Sequence, residues 1–467
     1  MNRQPKAGLP HHIHLVGIGG IGLSAIARVL LARGYAVSGS DMRASRLTDE
    51  MARLGARVTI GHQPAAVAEA QMVVVSSAVP EENPEIIAAR AAGIPVLDRR
   101  AFLGRLLEGN RTIAVAGTHG KTSTTGMIVA VLRAAGMDPG YIVGGILQDT
   151  GANAASGTSE WFVIEADEYA RMFHGLSPEI AVVTVIEMDH PDCFADIDAM
   201  REAYSGFVDR VVPGGLLIAC SDGPQVRLLL QERQGTPETV TYGQAAGADC
   251  VLSSVTANER GGVDFILTRG THELAHCSIA LPGVHNALNA TAALIVADRC
   301  GIPLDVACEA LRDFRGVRRR FELKGEAGGV TVIDDYGHHP TEIAATLAAA
   351  RLRYPGRRVW AVVQPHTFSR LQALWDSFRT CLADADEVII TDVYAARSRE
   401  VHGSSDAASL VAAIDHPSAR HIGGLAEAET YLCANLRSGD VLITLGAGDG
   451  YLIGERILVA LEDGCHA

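Results

Sequence analysis

The stretch Gly117-Thr118-His119-Gly120-Lys121-Thr122-Ser123 has the residue types and order of a phosphate cradle. An apolar run from Thr112 to Ala116 leads into it, and a helical pattern from Lys121 to about Ala135 leads out. In that setting loop N–H groups point at phosphate oxygens. The helix N-terminus adds partial positive charge and the lysine adds a full one. The hydroxyl after the lysine, here Thr122, stands where a phosphate loop holds Mg²⁺. Val115 occupies the first glycine position of G-x-x-x-x-G-K-[ST], so the loop is one residue shorter than the standard form. The plainer alternative is a turn that contains a lysine by chance, and the order of strand, loop, lysine and hydroxyl speaks against it.

Two further apolar runs end in acids. Glu160 to Glu165 continues into Asp167 and Glu168, and Ala181 to Ile186 continues into Glu187, Asp189 and His190. Buried strands usually end in turn residues rather than in several carboxylates. Carboxylates beside a phosphate loop repel a nucleotide unless a cation lies between them, and Mg²⁺ held by carboxylate and phosphate oxygens fits. His190 is a softer ligand that could complete a second cation site. A solvated strand end is the alternative for both clusters.

Upstream, His12 to Val16 reads as a strand, followed by Gly17-Ile-Gly19-Gly20-Ile21-Gly22, a helical stretch to about Arg33 and a second strand ending at Asp41. This is G-x-G-x-x-G in a βαβ unit with an acid after the second strand. Alone it fits NAD, another nucleotide, or a structural turn. Met72 to Val75 ends in Ser76 and Ser77, positioned either to touch the same ligand or only to turn the chain. Asn286 and Asn289 open a small-residue helix reaching about Cys300; they could cap it or read an adenine edge. Arg318, Arg319 and Arg320 could clamp a transferred phosphate or form a basic loop.

These sites need elements to hold them. Strand and helix alternate along the chain, which predicts α/β folding in three domains: a Rossmann-like unit at 1–108, a P-loop ATPase-like unit at 109–322 and a second Rossmann-like unit at 323–467. Residues 211–280 read as further strands and turns with little chemistry. In the third unit, Leu371 to Ala383 reads as a helix and Glu387 to Tyr394 as a strand. Its strand ends carry Asp334-Asp335-Tyr336-Gly-His338-His339-Pro340 and Gln364-Pro-His366-Thr367-Phe-Ser-Arg370.

The 467 residues carry 40 basic and 54 acidic side chains, a net charge of −14, with 48% hydrophobic residues. No basic block stands out, so a nucleic-acid partner is not expected. The nine cysteines show no metal-type spacing, which suggests reduced thiols in a cytoplasm. The N-terminus lacks an apolar signal core, and no uninterrupted apolar run of about 18 residues exists to span a membrane.

Seven motifs in order, G-T-H-G-K-T-S-T-T, E-A-D-E, I-E-M-D-H, G-V-H-N-A-L-N-A, R-R-F, D-D-Y-G-H-H-P and Q-P-H-T-F-S-R, resemble the Mur ligases, which add amino acids to the UDP-muramyl precursor of peptidoglycan. The resemblance covers nearly the whole chain. It implies that the glycine loop, with Asp41, Ser76 and Ser77, binds the UDP of UDP-N-acetylmuramate rather than NAD. It implies that Gly117 to Ser123 bind ATP, with Lys121 on the β/γ-phosphates, Thr122 and Glu165 on one Mg²⁺ and His190 on another. By the same resemblance Asn286 and Asn289 lie near adenine, and Arg320 and Asp335 reach the γ-phosphate and ribose. Tyr336, His338, His366 and Arg370 face the amino acid. V-G-I-G-G-I-G and D-D-Y-G-H-H-P-T-E-I are most similar to the members that join L-alanine to the lactyl carboxylate through an acyl phosphate. Members attaching a whole tripeptide are the alternative, and a dehydrogenase is the alternative of another class. A monomer or homodimer is expected. The chain departs from the family pattern at Thr367, where an arginine is usual, at Tyr169-Ala170 and at Val185. Loss of that arginine argues for a small neutral amino acid, and a hydroxyl there could hydrogen-bond serine.

Overall fold

Three sheets organise the chain in the computed structural model, which describes residues 8–233, 237–395 and 406–464. The first is parallel, in the order Arg57–Ile60, Ala36–Asp41, His12–Val16, Met72–Val75, Val96–Asp98. Connections leave the His12–Val16 strand toward one side and the Met72–Val75 strand toward the other. A crevice therefore opens between the carboxyl ends of these two strands. The glycine loop occupies it: Gly17 and Ile18 N–H donate to the Ser40 carbonyl, and Gly19 N–H donates to Asp41 Oδ2 at 2.9 Å. Asp41 thus closes the loop that it follows in sequence.

The second sheet has ten strands. Its parallel heart runs Glu238–Gly243, Leu216–Cys220, Ile180–Val183, Arg111–Ala116, Trp161–Glu165, Gly140–Ile142. These strands are nearly continuous apolar runs because helices cover both faces. The helix Lys121–Ala134 packs against Val284–Arg299, and the alanines of the latter allow the close approach. Residues 211–280 differ from the strand-and-turn expectation in one respect: Pro224–Glu232 is a helix, started by a proline at its first position, where no N–H is needed. From Cys250 onward the chain forms an antiparallel meander, Cys250–Ala257, Val263–Arg269 and His272–Ile279, on one edge of the sheet. The opposite edge is the two-residue strand Ala154–Ala155. The first domain's helix Ile21–Ala32 lies against it, and Asn153 Nδ2 donates to the Ile21 carbonyl at 3.2 Å.

The third sheet runs Glu322–Ala327, Val330–Asp335, Val441–Leu445, Val359–Val363, Glu387–Ile390, Ala419–His421, parallel except for its first strand. The expected helix over 371–383 is two short ones, Phe368–Ala373 and Trp375–Phe378, and the expected strand to Tyr394 ends at Ile390. Thr367 explains the early helix start. It has φ +67°, and its hydroxyl accepts from Arg370 N–H as an N-cap. Among the described residues no helix is long and apolar enough to cross a membrane.

The turn at Gly117 constrains the whole central domain. Its φ of +141° suits glycine, and a Cβ there would overlap Thr184 Oγ1. Gly117→Ala is expected to lower stability by roughly 1–3 kcal/mol from backbone conformation alone, with the overlap added. Urea unfolding followed by circular dichroism checks it.

Candidate active site

The carboxyl ends of the central and third sheets, together with the start of the first domain's helix Ile21–Ala32, line one cleft of ≈ 730 Å³. The cradle lies at its centre. Gly120, at φ +80°, is the N-cap of Lys121–Ala134, and a Cβ there would press on Asn289 Oδ1. Thr118 N–H donates to the Val185 carbonyl at 2.7 Å, which pins the loop to the next strand end. Lys121 Nζ donates to the Thr118 carbonyl and to Glu168 Oε1, at 3.1 and 2.9 Å. Burial opposes the lysine's charge, but Glu168 and then Glu165 raise its pKa above the ordinary value.

Thr122 Oγ1 donates to Glu165 Oε1 at 3.1 Å, so the two residues expected to share a cation are neighbours. A hydroxyl and a carboxylate at a phosphate loop are the hard oxygen donors that Mg²⁺ prefers. His190, at φ +53°, puts Nε2 3.6 Å from both Glu168 and Asp189. The linker arginines separate in role. Arg319 anchors the third domain through Asp334 and the Gly446 carbonyl. Arg320 turns into the cleft, with Nη2 3.4 Å from Thr122 Oγ1.

A second cavity of ≈ 280 Å³ adjoins the cradle, lined by Ser123, Tyr242, Asn286, Asn289, Phe321 and Asp335 among others. The asparagines do not cap their helix. Asn286 Nδ2 donates to the Pro282 carbonyl, and Asn289 accepts from Thr124. Asp335 borders this cavity, but Phe321 N–H and Gly337 N–H occupy its oxygens. Burial pushes its carboxyl up to about 6.

Tyr336, His338, His366 and Arg370 gather on the third domain's side of the cleft. Arg370 is not a bare fork. Its Nε donates to Asp189 Oδ1 at 2.8 Å and Nη1 lies 2.9 Å from His366 Nδ1. Burial, then the Arg370 charge, lowers His338 to about 3 and His366 to about 4, so both rings are neutral near pH 7. Thr367 does not stand in for the arginine usual in the family. It is buried, it lines the cleft, and its hydroxyl accepts from Arg370 N–H as the cap of the helix that carries that arginine.

Of the glycine-loop residues, Ile21 and Gly22 line the main cleft. Gly17, Gly19, Gly20, Asp41, Ser76 and Ser77 lie outside its lining, at the first sheet's carboxyl edge. Motif reading missed Arg46 and Arg99, which add cations to the cleft, and Arg99 reaches Asp167 of the central domain at 2.7 Å. It also missed Glu168, Asp189 and Glu342 as partners of the expected cations, and Tyr242 in the smaller cavity.

His119 forms a bridge between domains. Its Nε2 is 3.2 Å from Glu187 Oε2 and its Nδ1 is 3.3 Å from Glu342 Oε1. Burial opposes the charge, yet Glu342 and Glu187 hold the imidazolium up to about 9. His119, Glu187 and His339 lie close enough together to hold a metal ion. His339, however, accepts from Thr341 N–H at Nδ1 and sets Nε2 against the Met188 carbonyl, so the cluster is best described as an ion pair with a neutral neighbour.

The chain matches three family descriptions in succession: Mur ligase family, catalytic domain, over residues 12–111; Mur ligase middle domain over 115–297; and Mur ligase, glutamate ligase domain, over 319–448. It is 43% identical over 454 residues to UDP-N-acetylmuramate–L-alanine ligase of Desulfosudis oleivorans, covering 97% of this chain and 99% of that one. Among solved structures it is similar to UDP-N-acetylmuramate-alanine ligase of Thermotoga maritima, with a TM-score of 0.81, 27% identity and coverage of 97% and 99%. It is also similar to a murein peptide ligase of Psychrobacter arcticus, with a TM-score of 0.71, 25% identity and coverage of 97% and 99%.

The His119 bridge sets a pH window. Its folded pKa of about 9 exceeds the ordinary 6.5, so its stabilisation is fully present below pH 6.5 and is lost as pH rises through 9. Melting temperature should fall across that range in the native chain. In His119→Gln the fall should be shallower, as differential scanning fluorimetry in matched buffers will show.

Proposed function

The chain belongs to the Mur ligase family, and from that premise we propose how its cleft joins L-alanine to the lactyl carboxylate of UDP-N-acetylmuramate with ATP, the first amino-acid addition in peptidoglycan precursor synthesis. The observation that carries this assignment is the full-length likeness to the alanine ligases. The murein peptide ligase is a less similar structure than the alanine ligase, and a dehydrogenase would leave the third domain without a role.

The lactyl carboxylate attacks the γ-phosphorus of ATP, giving an acyl phosphate and ADP. The alanine amine then attacks the acyl carbon, and phosphate leaves. Two anions meet in the first step, so the cleft must supply convergent positive charge. We assign Lys121 to the β/γ-phosphates, with the loop N–H groups and helix N-terminus behind it. Arg320 approaches from the linker toward the γ-phosphate. Thr122 and Glu165 would hold one Mg²⁺ and His190 another; when bound, these ions neutralise phosphate charge. Asn286, Asn289 and Tyr242 make the smaller cavity an adenine pocket, with Asp335 at its ribose side. The glycine loop, Asp41, Ser76 and Ser77 take the uridine diphosphate, with Arg46 and Arg99 facing its charge.

Arg370 offers the alanine carboxylate its remaining donors, and His338 and His366 add no net charge. An acidic side chain would meet Asp189 without a spare cation, which favours a small neutral amino acid. The three domains shield the acyl phosphate from water by closing over it. The reaction is assigned to the cytoplasm, where ATP is available, consistent with the free thiols of all eight described cysteines.

Repeated turnover of ATP to ADP should require UDP-N-acetylmuramate and L-alanine together, with D-glutamate and an intact tripeptide ineffective. Lys121→Ala should lower turnover by about a hundredfold or more, the scale for removing one electrostatic stabiliser. A coupled ADP assay with product mass spectrometry tests both. NADH binding without UDP-sugar binding would reverse the assignment.

A further inference from the structure

Glu342 lies in the first turn of Pro340–Arg353, where it completes a capping box by accepting from the N–H of His339. A cap alone does not explain its surroundings. Oε1 is 3.3 Å from His119 Nδ1 on the phosphate loop and 3.4 Å from Arg320 Nη1 on the linker. Oε2 accepts from His338 N–H at 3.1 Å and lies 3.6 Å from the His338 ring. One carboxylate therefore touches the loop assigned to ATP, the arginine assigned to the γ-phosphate and the turn assigned to the amino acid. These parts come from the central domain, the linker and the third domain.

Resting on the ligase reading, we infer that Glu342 is a positioning residue that couples the ATP loop to the amino-acid loop. It touches no reacting atom. Its two oxygens divide the work: one holds the cations His119 and Arg320 in register, and the other holds the backbone of the His338 turn. When ATP draws the phosphate loop and Arg320 into place, the shared carboxylate carries the third domain's turn with them. The amino-acid site is then assembled only over a loaded ATP site. Glu187 reaches His119, Thr341 and, at 3.9 Å, His339, but neither Arg320 nor His338, so it does not join the γ-phosphate arginine to the amino-acid turn.

Coupling of this kind is reciprocal and is read as a change in affinity. Calorimetric titration of L-alanine into the full chain, with UDP-N-acetylmuramate present, is compared with and without a non-hydrolysable ATP analogue and Mg²⁺. The analogue should tighten alanine binding by about tenfold in the native protein. In Glu342→Gln, which keeps the size and the acceptor for the backbone, the tightening should fall below about twofold, while UDP-N-acetylmuramate affinity stays unchanged. Glu342→Asp keeps the charge but shortens the reach and should recover part of the tightening. Native-like tightening in Glu342→Gln, or none in the native protein, overturns the inference. Should Glu342→Gln fail to fold, His119→Gln removes the partner on the loop side and must likewise lose the tightening; retention overturns the inference. A native chain that binds all three ligands but makes no amide would instead sink the ligase reading and leave the coupling result standing.

Discussion

The cations at the centre of the cleft already have carboxylates beside them. Lys121 has Glu168, Arg320 has Glu342, Arg370 has Asp189, Arg99 has Asp167, and His119 has two. The constraint is desolvation. A charge taken out of water without a partner costs several kcal/mol, so a closed site cannot store bare cations for its substrates. The acids at the strand ends meet that requirement. They keep the lysine and arginines charged and aimed, and substrate anions then compete for cations that are already oriented. This is how a protein with a net charge of −14 presents a binding site for polyanions.

The same requirement decides how much could be read in advance. The phosphate loop, the acidic strand ends, the His190 turn and the two third-domain motifs were legible because each is contiguous and its chemistry is local. The alternation of strand and helix likewise revealed α/β architecture. What was not legible is who pairs with whom. Asp189 and Arg370 are far apart in sequence, and nothing local in either predicts a 2.8 Å contact. Glu342 reads as an ordinary capping residue in the first turn of a helix. Tyr242 ends a strand with no motif around it and enters the smaller cavity only because its strand neighbours Leu216–Cys220.

Thr367 has a role that its side-chain type does not reveal. Read as a missing arginine, it argues for a small neutral amino acid or a hydroxyl contact to serine. In the fold its backbone is left-handed and its hydroxyl caps the helix that carries Arg370. The residue acts on the site by fixing where that arginine starts, an effect invisible to any reading of side-chain charge. Asp335 is a comparable case. Both of its oxygens hold backbone N–H groups, so its first task is to shape the corner joining linker and third domain.

The two edges of the central sheet carry a consequence for the autonomy of the parts. One edge is the meander that ends at His272–Ile279, beside the helix Leu304–Asp313. The other is only two residues wide and is covered by the helix that follows the glycine loop of the first domain. Uncovered strand edges are templates for pairing with another chain. The first domain is therefore also the cover of that seam. A fragment beginning at the phosphate-loop strand would keep the nucleotide cradle but leave the Asn153–Ile21 contact unmade and the seam open to water.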